Sequence, residues 1–264
     1  MKPLLNVVKI GGNVLDDATA RQQFLQALAT EKQAMIVVHG GGKIATELGN
    51  RMGITAQYHE GRRITDEATR DLVTMVYAGL VNKQLVASLQ ALGVNALGLT
   101  GADANALPAQ KRPVGAVDYG WVGDPLEKGV PTAFWAQLLQ QGLLPVLAPI
   151  THDRQGHLLN TNADTMAATI AVAMSTEYRV RLIYCFEKKG VLLNVADDDS
   201  VIPLLNKEAY LGLKESGRLF AGMLPKLHNC FVALDKGVSE VVIGQAGDLQ
   251  QHLAGATTGT LIQP

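Results

Sequence analysis

Leu4-Leu5-Asn6-Val7-Val8-Lys9-Ile10-Gly11-Gly12 and Ala34-Met35-Ile36-Val37-Val38-His39-Gly40-Gly41-Gly42 are two apolar runs of strand length, each ending in a glycine turn. Near-continuous Val/Ile/Leu runs suit strands buried on both faces, as in parallel sheets covered by helices. Glycine lets the chain turn sharply and lets backbone N–H groups approach an anion, and a following helix turns its positive end to the same spot. Both turns read as phosphate cradles, and Lys9 adds a mobile positive charge at the end of its strand. Two such cradles on neighbouring strands suit a polyphosphate held where open α/β sheets bind their ligands.

Outward from these turns, strand-like runs alternate with helical patterns. Ala20, Phe24, Ala27 and Leu28 fall at helical spacing behind Asp16 and Asp17, and Ile44, Leu48 and Met52 repeat before the stop at Gly53. A long helix follows, with Thr65 as its cap, Asp66 and Glu67 in its first turn, an apolar stripe of Leu72, Val73, Val76, Tyr77 and Leu80, and Gly93 as its end. Asn95 to Leu99 reads as a core strand. Val114 to Gly123, centred on Asp118-Tyr119-Gly120, suggests a hairpin over the sheet edge, and Asp153 to Gly156 the turn of a second hairpin. Past Ser175 the alternation restarts with strand 181–186, helix 206–216, a helix starting near Pro225, strand 240–243 and a last strand 260–262. The expected organisation is an amino-terminal lobe, 1–176, and a carboxy-terminal lobe, 177–264, sharing an open, mainly parallel sheet.

The chain has 264 residues, 47% of them hydrophobic, enough for a sizeable core. A formal net charge of -1 gives no global field for nucleic acid or an anionic membrane, so small molecules are the expected partners. Cys185 and Cys230 show no metal-like spacing and suit a reducing compartment. No secretion signal is visible, and apolar segments such as Gly142 to Ile150 are too short to span a bilayer, so the protein is expected in the cytoplasm.

Phosphoryl transfer asks a protein mainly for charge neutralisation and in-line positioning. Lys9, the amides of Gly11, Gly12, Gly41 and Gly42, and Lys226 in Gly222-Met223-Leu224-Pro225-Lys226 have that chemistry, and Asp164 is a natural acidic partner between two lysines. Each also has a plainer role: a solvated strand flank for Lys9, a helix cap for Asp164, a surface charge for Lys226, a packed strand-end residue for His39, a solvated charge for Arg63. Asp197-Asp198-Asp199 reads as a solvated loop.

The joint order of Lys9-Ile10-Gly11-Gly12, His39-Gly40-Gly41-Gly42, Gly61-Arg62-Arg63-Ile64-Thr65, Asn160-Thr161-Asn162-Ala163-Asp164 and Gly222-Met223 with Lys226 resembles the amino acid kinase family over nearly the whole chain. Within it, the third and fourth segments resemble the branch acting on N-acetylglutamate. The resemblance implies a three-layer αβα sandwich, with an acyl-amino-acid site and a dimer contact in the first lobe and ATP in the second. It implies that Lys9 and Lys226 stabilise the transferring phosphoryl, that Asp164 orients them, and that Gly11 and Gly12 cradle phosphates. Gly41 and Gly42 then hold the substrate, while Arg63 and Asn160 grip its α-carboxylate. The implied reaction is phosphorylation of the side-chain carboxylate of N-acetyl-L-glutamate by ATP with Mg2+, in arginine biosynthesis. That nucleophile is already ionised at neutral pH and needs no general base. The magnesium rests on ATP oxygens and water, with no protein metal site. A homodimer through the long helix and weak or absent arginine feedback are also implied, the latter because arginine-inhibited relatives carry an extra amino-terminal helix.

Two segments depart from the family pattern. Phe186-Glu187-Lys188-Lys189-Gly190-Val191 stands where a Thr- or Ser-Asp pair is common, which leaves the nucleotide preference open. Gly101-Ala102-Asp103-Ala104-Asn105, followed by Lys111-Arg112, borders the expected acyl pocket and admits N-succinyl-L-glutamate, with a basic side chain pairing the extra carboxylate. Other acceptors of the same family and a catalytically silent nucleotide- or amino-acid-binding regulator remain alternatives. A dinucleotide oxidoreductase is disfavoured because neither turn has Gly-x-Gly-x-x-Gly spacing.

Overall fold

In the computed structural model the first apolar run forms the strand Leu4–Ile10, paired in parallel along its length with Arg179–Phe186, from Leu4 opposite Arg179 to Ile10 opposite Cys185. The structure describes residues 1–194, 196–216, 223–255 and 258–264. It is mixed α/β with a large, mostly parallel sheet. Two compact units divide the chain: Met1–Ile36 with Ala167–Pro264, and Val37–Met166. This differs from the expected division into 1–176 and 177–264. The first strand draws the opening residues to the carboxy-terminal part through its pairing with Arg179–Phe186.

In the unit containing both termini, Arg179–Phe186 also pairs in parallel with Glu240–Gln245, which pairs antiparallel with Thr260–Ile262, and Leu204–Leu205 completes the edge. Val7, Val8, Leu182, Ile183 and Val241 are fully buried, as strands covered on both faces require. Asp17 caps the helix Ala18–Thr30 by accepting from the Ala20 N–H, and Asn206 caps Lys207–Glu215 through the Ala209 N–H. The helix after Gly11, Gly12–Asp16, is only five residues long. The amides of that turn, more than a helix macrodipole, are therefore what it offers an anion. Gly222 lies outside the described residues.

In the other unit, Val37 and Val38 pair with Val146 and Leu147, and Ala96–Leu99 flanks Leu144–Leu147 in parallel. A second sheet has the order Ala109–Lys111, Val122–Pro125, Leu158–Thr161, Ile150–His152. The turn at Asp153 to Gly156 joins two of its strands, as expected. The first hairpin differs: its arms are Ala109–Lys111 and Val122–Pro125, and 114–120 belong to the connection. There Asp118 accepts from the Gly120 N–H, and Gly120 has φ +70°. The buried positions of helix Gly42–Arg51 are Ala45 and Gly49, whereas Met52 is exposed. Gly49 is needed because a Cβ there would lie 2.7 Å from Leu72 Cδ2.

The long helix runs from Glu67 to Ala91 with a π-helical stretch, Met75–Val81, in its middle. Asp66, not Thr65, caps it by accepting from the Thr69 N–H at 2.8 Å, and hydrogen bonding from the Thr69 side chain and N–H holds its carboxyl below the usual carboxylate range. Thr65 is occupied elsewhere: its N–H donates to Tyr119 O at 2.9 Å and its carbonyl accepts from the Trp121 N–H at 2.7 Å. By length and composition this helix is long and apolar enough to cross a bilayer, contrary to the expectation for the chain. Yet Leu72, Val73, Val76, Val81, Leu85 and Leu89 are buried in the unit, and Arg70, Asp71 and Lys83 lie along the helix. These features suit a core helix.

Candidate active site

Arg63 enters its cavity from a tight hairpin, Gln57–His59 paired antiparallel with Arg62–Ile64. Positive φ at Glu60 (47°) and Gly61 (74°) gives the hairpin its mirror-image turn, which is where Gly61 is required. The Arg63 residue is 8% exposed. Its Nη2 donates to Gly42 O and to Thr46 Oγ1, both at 2.8 Å, and its guanidinium carbon lies 4.9 Å from the centre of the Tyr58 ring. Nη1 is buried without a hydrogen-bond partner among the described residues. A buried cation with an unused donor is costly unless an anion completes it.

That cavity, about 230 Å³, is lined by Gly40, Gly41, Gly42, Tyr58, Arg63, Tyr77, Arg112 and Asn160 to Ala163, all from the unit Val37–Met166. The structure thus brings Gly41, Gly42, Arg63 and Asn160 together. Asn160 Nδ2 donates to Thr65 Oγ1 at 2.9 Å, linking two of the sequence segments singled out above. Gly41 admits no side chain, since a Cβ there would lie 2.9 Å from Tyr77 Cδ1. Tyr77 was legible only as part of an apolar stripe. Burial pushes its phenol above the usual range, partly offset by the nearby Arg63 charge.

His39 stiffens the same glycine turn from behind. Gly40 O, an acceptor only, lies 2.6 Å from Nδ1, so Nδ1 carries the proton, and Nε2 accepts from Asn82 Nδ2 at 3.1 Å. Asn82 Nδ2 also donates to Val146 O at 2.9 Å. Burial lowers the His39 pKa to about 4, so the ring is neutral near pH 7 and, with both nitrogens engaged, is a packed strand-end residue.

The basic pair diverges. Arg112 lines the cavity and is held by Asp124, with Nη2 to Oδ1 at 2.5 Å and Nε to Oδ1 at 3.1 Å. Lys111 lines a different surface depression, with its ammonium 4.1 Å from the centre of the Trp121 ring.

A second cavity, about 360 Å³ and within the unit containing the termini, is lined by Lys9, Gly11, Phe186, Glu187, Lys188, Gly190, Met223 and Lys226. Lys9 is 8% exposed, although it is the next-to-last residue of its strand. The Gly11 N–H donates to Cys185 O at 3.1 Å, closing the first turn onto the neighbouring strand. Cys185 is buried, and burial pushes its thiol up to about 12, so it is core. Lys188 and Lys189 pair with Asp198 and Asp199, each at 2.7 Å, in a loop whose Asp197, Asp198 and Asp199 are all exposed, as expected of a solvated loop. Gly12 begins the helix Gly12–Asp16. Asp164 lies in the first turn of helix Ala163–Met174, and Asn162 provides the cap by accepting from the Thr165 N–H at 2.9 Å. Among the described residues no group of three His, Cys, Asp or Glu side chains could hold a metal ion.

The amino acid kinase family model matches residues 5–245. The acetylglutamate kinase of Parabacteroides distasonis is 51% identical over 247 residues, covering 94% of this chain and 96% of that protein. The acetylglutamate kinase of Phocaeicola vulgatus is 49% identical over 263 residues, covering 100% of both. Among solved structures, smu.665 from Streptococcus mutans is 25% identical, with a TM-score of 0.77 and 98% of each chain covered.

Proposed function

Because the chain belongs to the amino acid kinase family, we propose that it transfers the γ-phosphoryl of Mg–ATP to the side-chain carboxylate of N-acetyl-L-glutamate, a step of arginine biosynthesis. The observation that carries this reading is the buried Arg63 guanidinium, whose Nη1 has no hydrogen-bond partner among the described residues, in a cavity rimmed by Gly41 and Gly42. An α-carboxylate supplies the missing charge and acceptor. The names of the relatives support the same substrate.

One oxygen of the side-chain carboxylate attacks the γ-phosphorus, the bond to the ADP oxygen breaks, and ADP leaves with that electron pair. No proton has to be removed from the nucleophile. Arg63 and Asn160 hold the α-carboxylate, and the amides of Gly41 and Gly42 align the substrate. Lys9 and Lys226, with the amides of Gly11 and Gly12, neutralise the charge that develops on the transferring phosphoryl. Asp164 is assigned to orienting the two lysines, a role taken from the family's pattern. Magnesium belongs to the nucleotide substrate, held by its phosphate oxygens and water. The nucleotide is assigned to the cavity of Lys9 and Lys226, and the acylated glutamate to the cavity of Arg63.

We assign the protein to the cytoplasm as a homodimer joined through the long helix, where Met75 (54%) and Leu80 (41%) are exposed. A second reading, N-succinyl-L-glutamate as substrate, draws on Arg112, which lines the Arg63 cavity, and no longer on Lys111.

Incubation with Mg–ATP, hydroxylamine and either acylated glutamate, with Lys9→Ala as the blank, tests both. Hydroxamate from N-acetylglutamate is expected. Hydroxamate from the succinyl substrate alone, lost in Arg112→Ala, transfers the assignment to the second reading, and none from either rejects both.

A further inference from the structure

Phe186 is the last residue of the strand Arg179–Phe186, directly after the Cys185 carbonyl that receives the Gly11 N–H. Its ring lies under both lysines of the nucleotide cavity: Lys226 Nζ is 3.7 Å from the ring centre and Lys9 Nζ is 4.8 Å from it. The first glycine turn packs against the same group, because a Cβ on Gly11 would lie 3.8 Å from Phe186 Cδ1 and 3.9 Å from Lys9 Nζ. Tyr184, two residues back and so on the same face of the strand, stacks on Phe186 with ring centres 6.0 Å apart and planes 10° apart. Two ammonium groups drawn to one place repel each other, and an aromatic face, negative at its centre, attracts both.

We infer that Phe186 is a positioning residue for phosphoryl transfer: its ring holds the Lys9 and Lys226 ammonium groups beside the Gly11 turn. The inference rests on the phosphotransferase reading given above. It gives a purpose to Phe186 in the segment that stands where a Thr- or Ser-Asp pair is common in the family. The strand end fixes the ring, the ring places the two charges, and neither lysine has to be gathered in when the phosphates arrive. The π face is the property that matters. Leucine keeps an apolar side chain of moderate size but has no such face, whereas tyrosine and tryptophan keep it.

The test compares wild type, Phe186→Leu, Phe186→Tyr and Phe186→Trp by hydroxamate formation, each first checked for a native far-ultraviolet spectrum and melting temperature. Phe186→Leu is expected to lose about tenfold in kcat with KM for N-acetylglutamate unchanged, and the aromatic variants to recover most of it. In a Lys226→Ala background, Phe186→Leu is expected to lower kcat by a smaller factor than in the wild type, because only the Lys9 contact is then left for the ring to act through. Wild-type kcat in Phe186→Leu would overturn the inference, as would an equal loss in leucine and aromatic variants that remain folded. Inactivity of the wild type with every acylated glutamate would instead reject the underlying reading.

Discussion

Arg63 ties three parts of its cavity together: it holds the carbonyl of Gly42, bonds Thr46 and lies over Tyr58, and its Nη1 has no hydrogen-bond partner among the described residues. Replacing it with alanine is expected to raise KM for N-acetylglutamate about a hundredfold, on the order of 3 kcal/mol, with KM for ATP nearly unchanged. Lysine keeps the charge but cannot serve Gly42, Thr46 and a carboxylate at once, so Arg63→Lys should recover little. Steady-state kinetics with each substrate varied decides this, and equal shifts in both KM values would assign Arg63 a general structural role. His39 carries a different prediction. Its folded pKa, about 4, is below the ordinary histidine value of 6.5, so as pH falls through that window the unfolded chain takes up a proton that the folded chain refuses. Stability is then lost between about pH 6.5 and 4, by on the order of 3 kcal/mol from this group. Denaturant unfolding at pH 7 and pH 4.5 should show a smaller acid loss in His39→Asn than in wild type; an identical loss contradicts the assignment of a buried neutral ring.

The glycine turns are the elements most exposed to a single added carbon. Gly41→Ala places Cβ 2.9 Å from Tyr77 Cδ1, on a segment that the His39 and Asn82 hydrogen bonds prevent from shifting cheaply. It should cost roughly 1–3 kcal/mol and raise KM for the acylated glutamate. Gly212→Ala, within helix Lys207–Glu215 and with open space around the added carbon, should instead be neutral or stabilising by up to about 1 kcal/mol. Thermal melts of the two variants make the comparison, and similar behaviour would argue that the Gly41 turn yields. Most elements were legible from local pattern alone, because buried strands such as Leu4–Ile10 and capped helices such as Ala18–Thr30 carry their signals in a few consecutive residues. The cap of the long helix was not, since Thr65 is a good capping residue and only its tertiary hydrogen bonds, the Asn160 Nδ2 donation to its Oγ1 and its backbone bonds to Tyr119 and Trp121, take it away from that task. The π stretch at Met75–Val81 likewise leaves no local signature: its apolar spacing suits an ordinary helix.

At the scale of the whole molecule, the family and the mixed α/β architecture followed from the order of motifs along the chain, and the match over residues 5–245 agrees. The grouping of the site was partly legible. Gly41, Gly42, Arg63 and Asn160 meet in one cavity, and Lys9, Gly11 and Lys226 in another, but Tyr58 and Tyr77 escaped notice because a tyrosine on a strand or an apolar stripe looks like core. The compact units escaped as well. Parallel pairing of Leu4–Ile10 with Arg179–Phe186 is a long-range choice, and the sequence between those strands does not announce it. The central claim is that a side-chain carboxylate attacks the γ-phosphorus of ATP, and oxygen transfer tests it most directly. N-acetylglutamate labelled with ¹⁸O in its side-chain carboxylate would be turned over with unlabelled Mg–ATP and hydroxylamine, and the released phosphate examined by mass spectrometry. Phosphate carrying one ¹⁸O, formed only when the enzyme is active, is the predicted result, because hydroxylamine cleaves the acyl phosphate at carbon and leaves the bridging oxygen on phosphorus. Phosphate free of label, released at the rate of ATP consumption, would contradict the account.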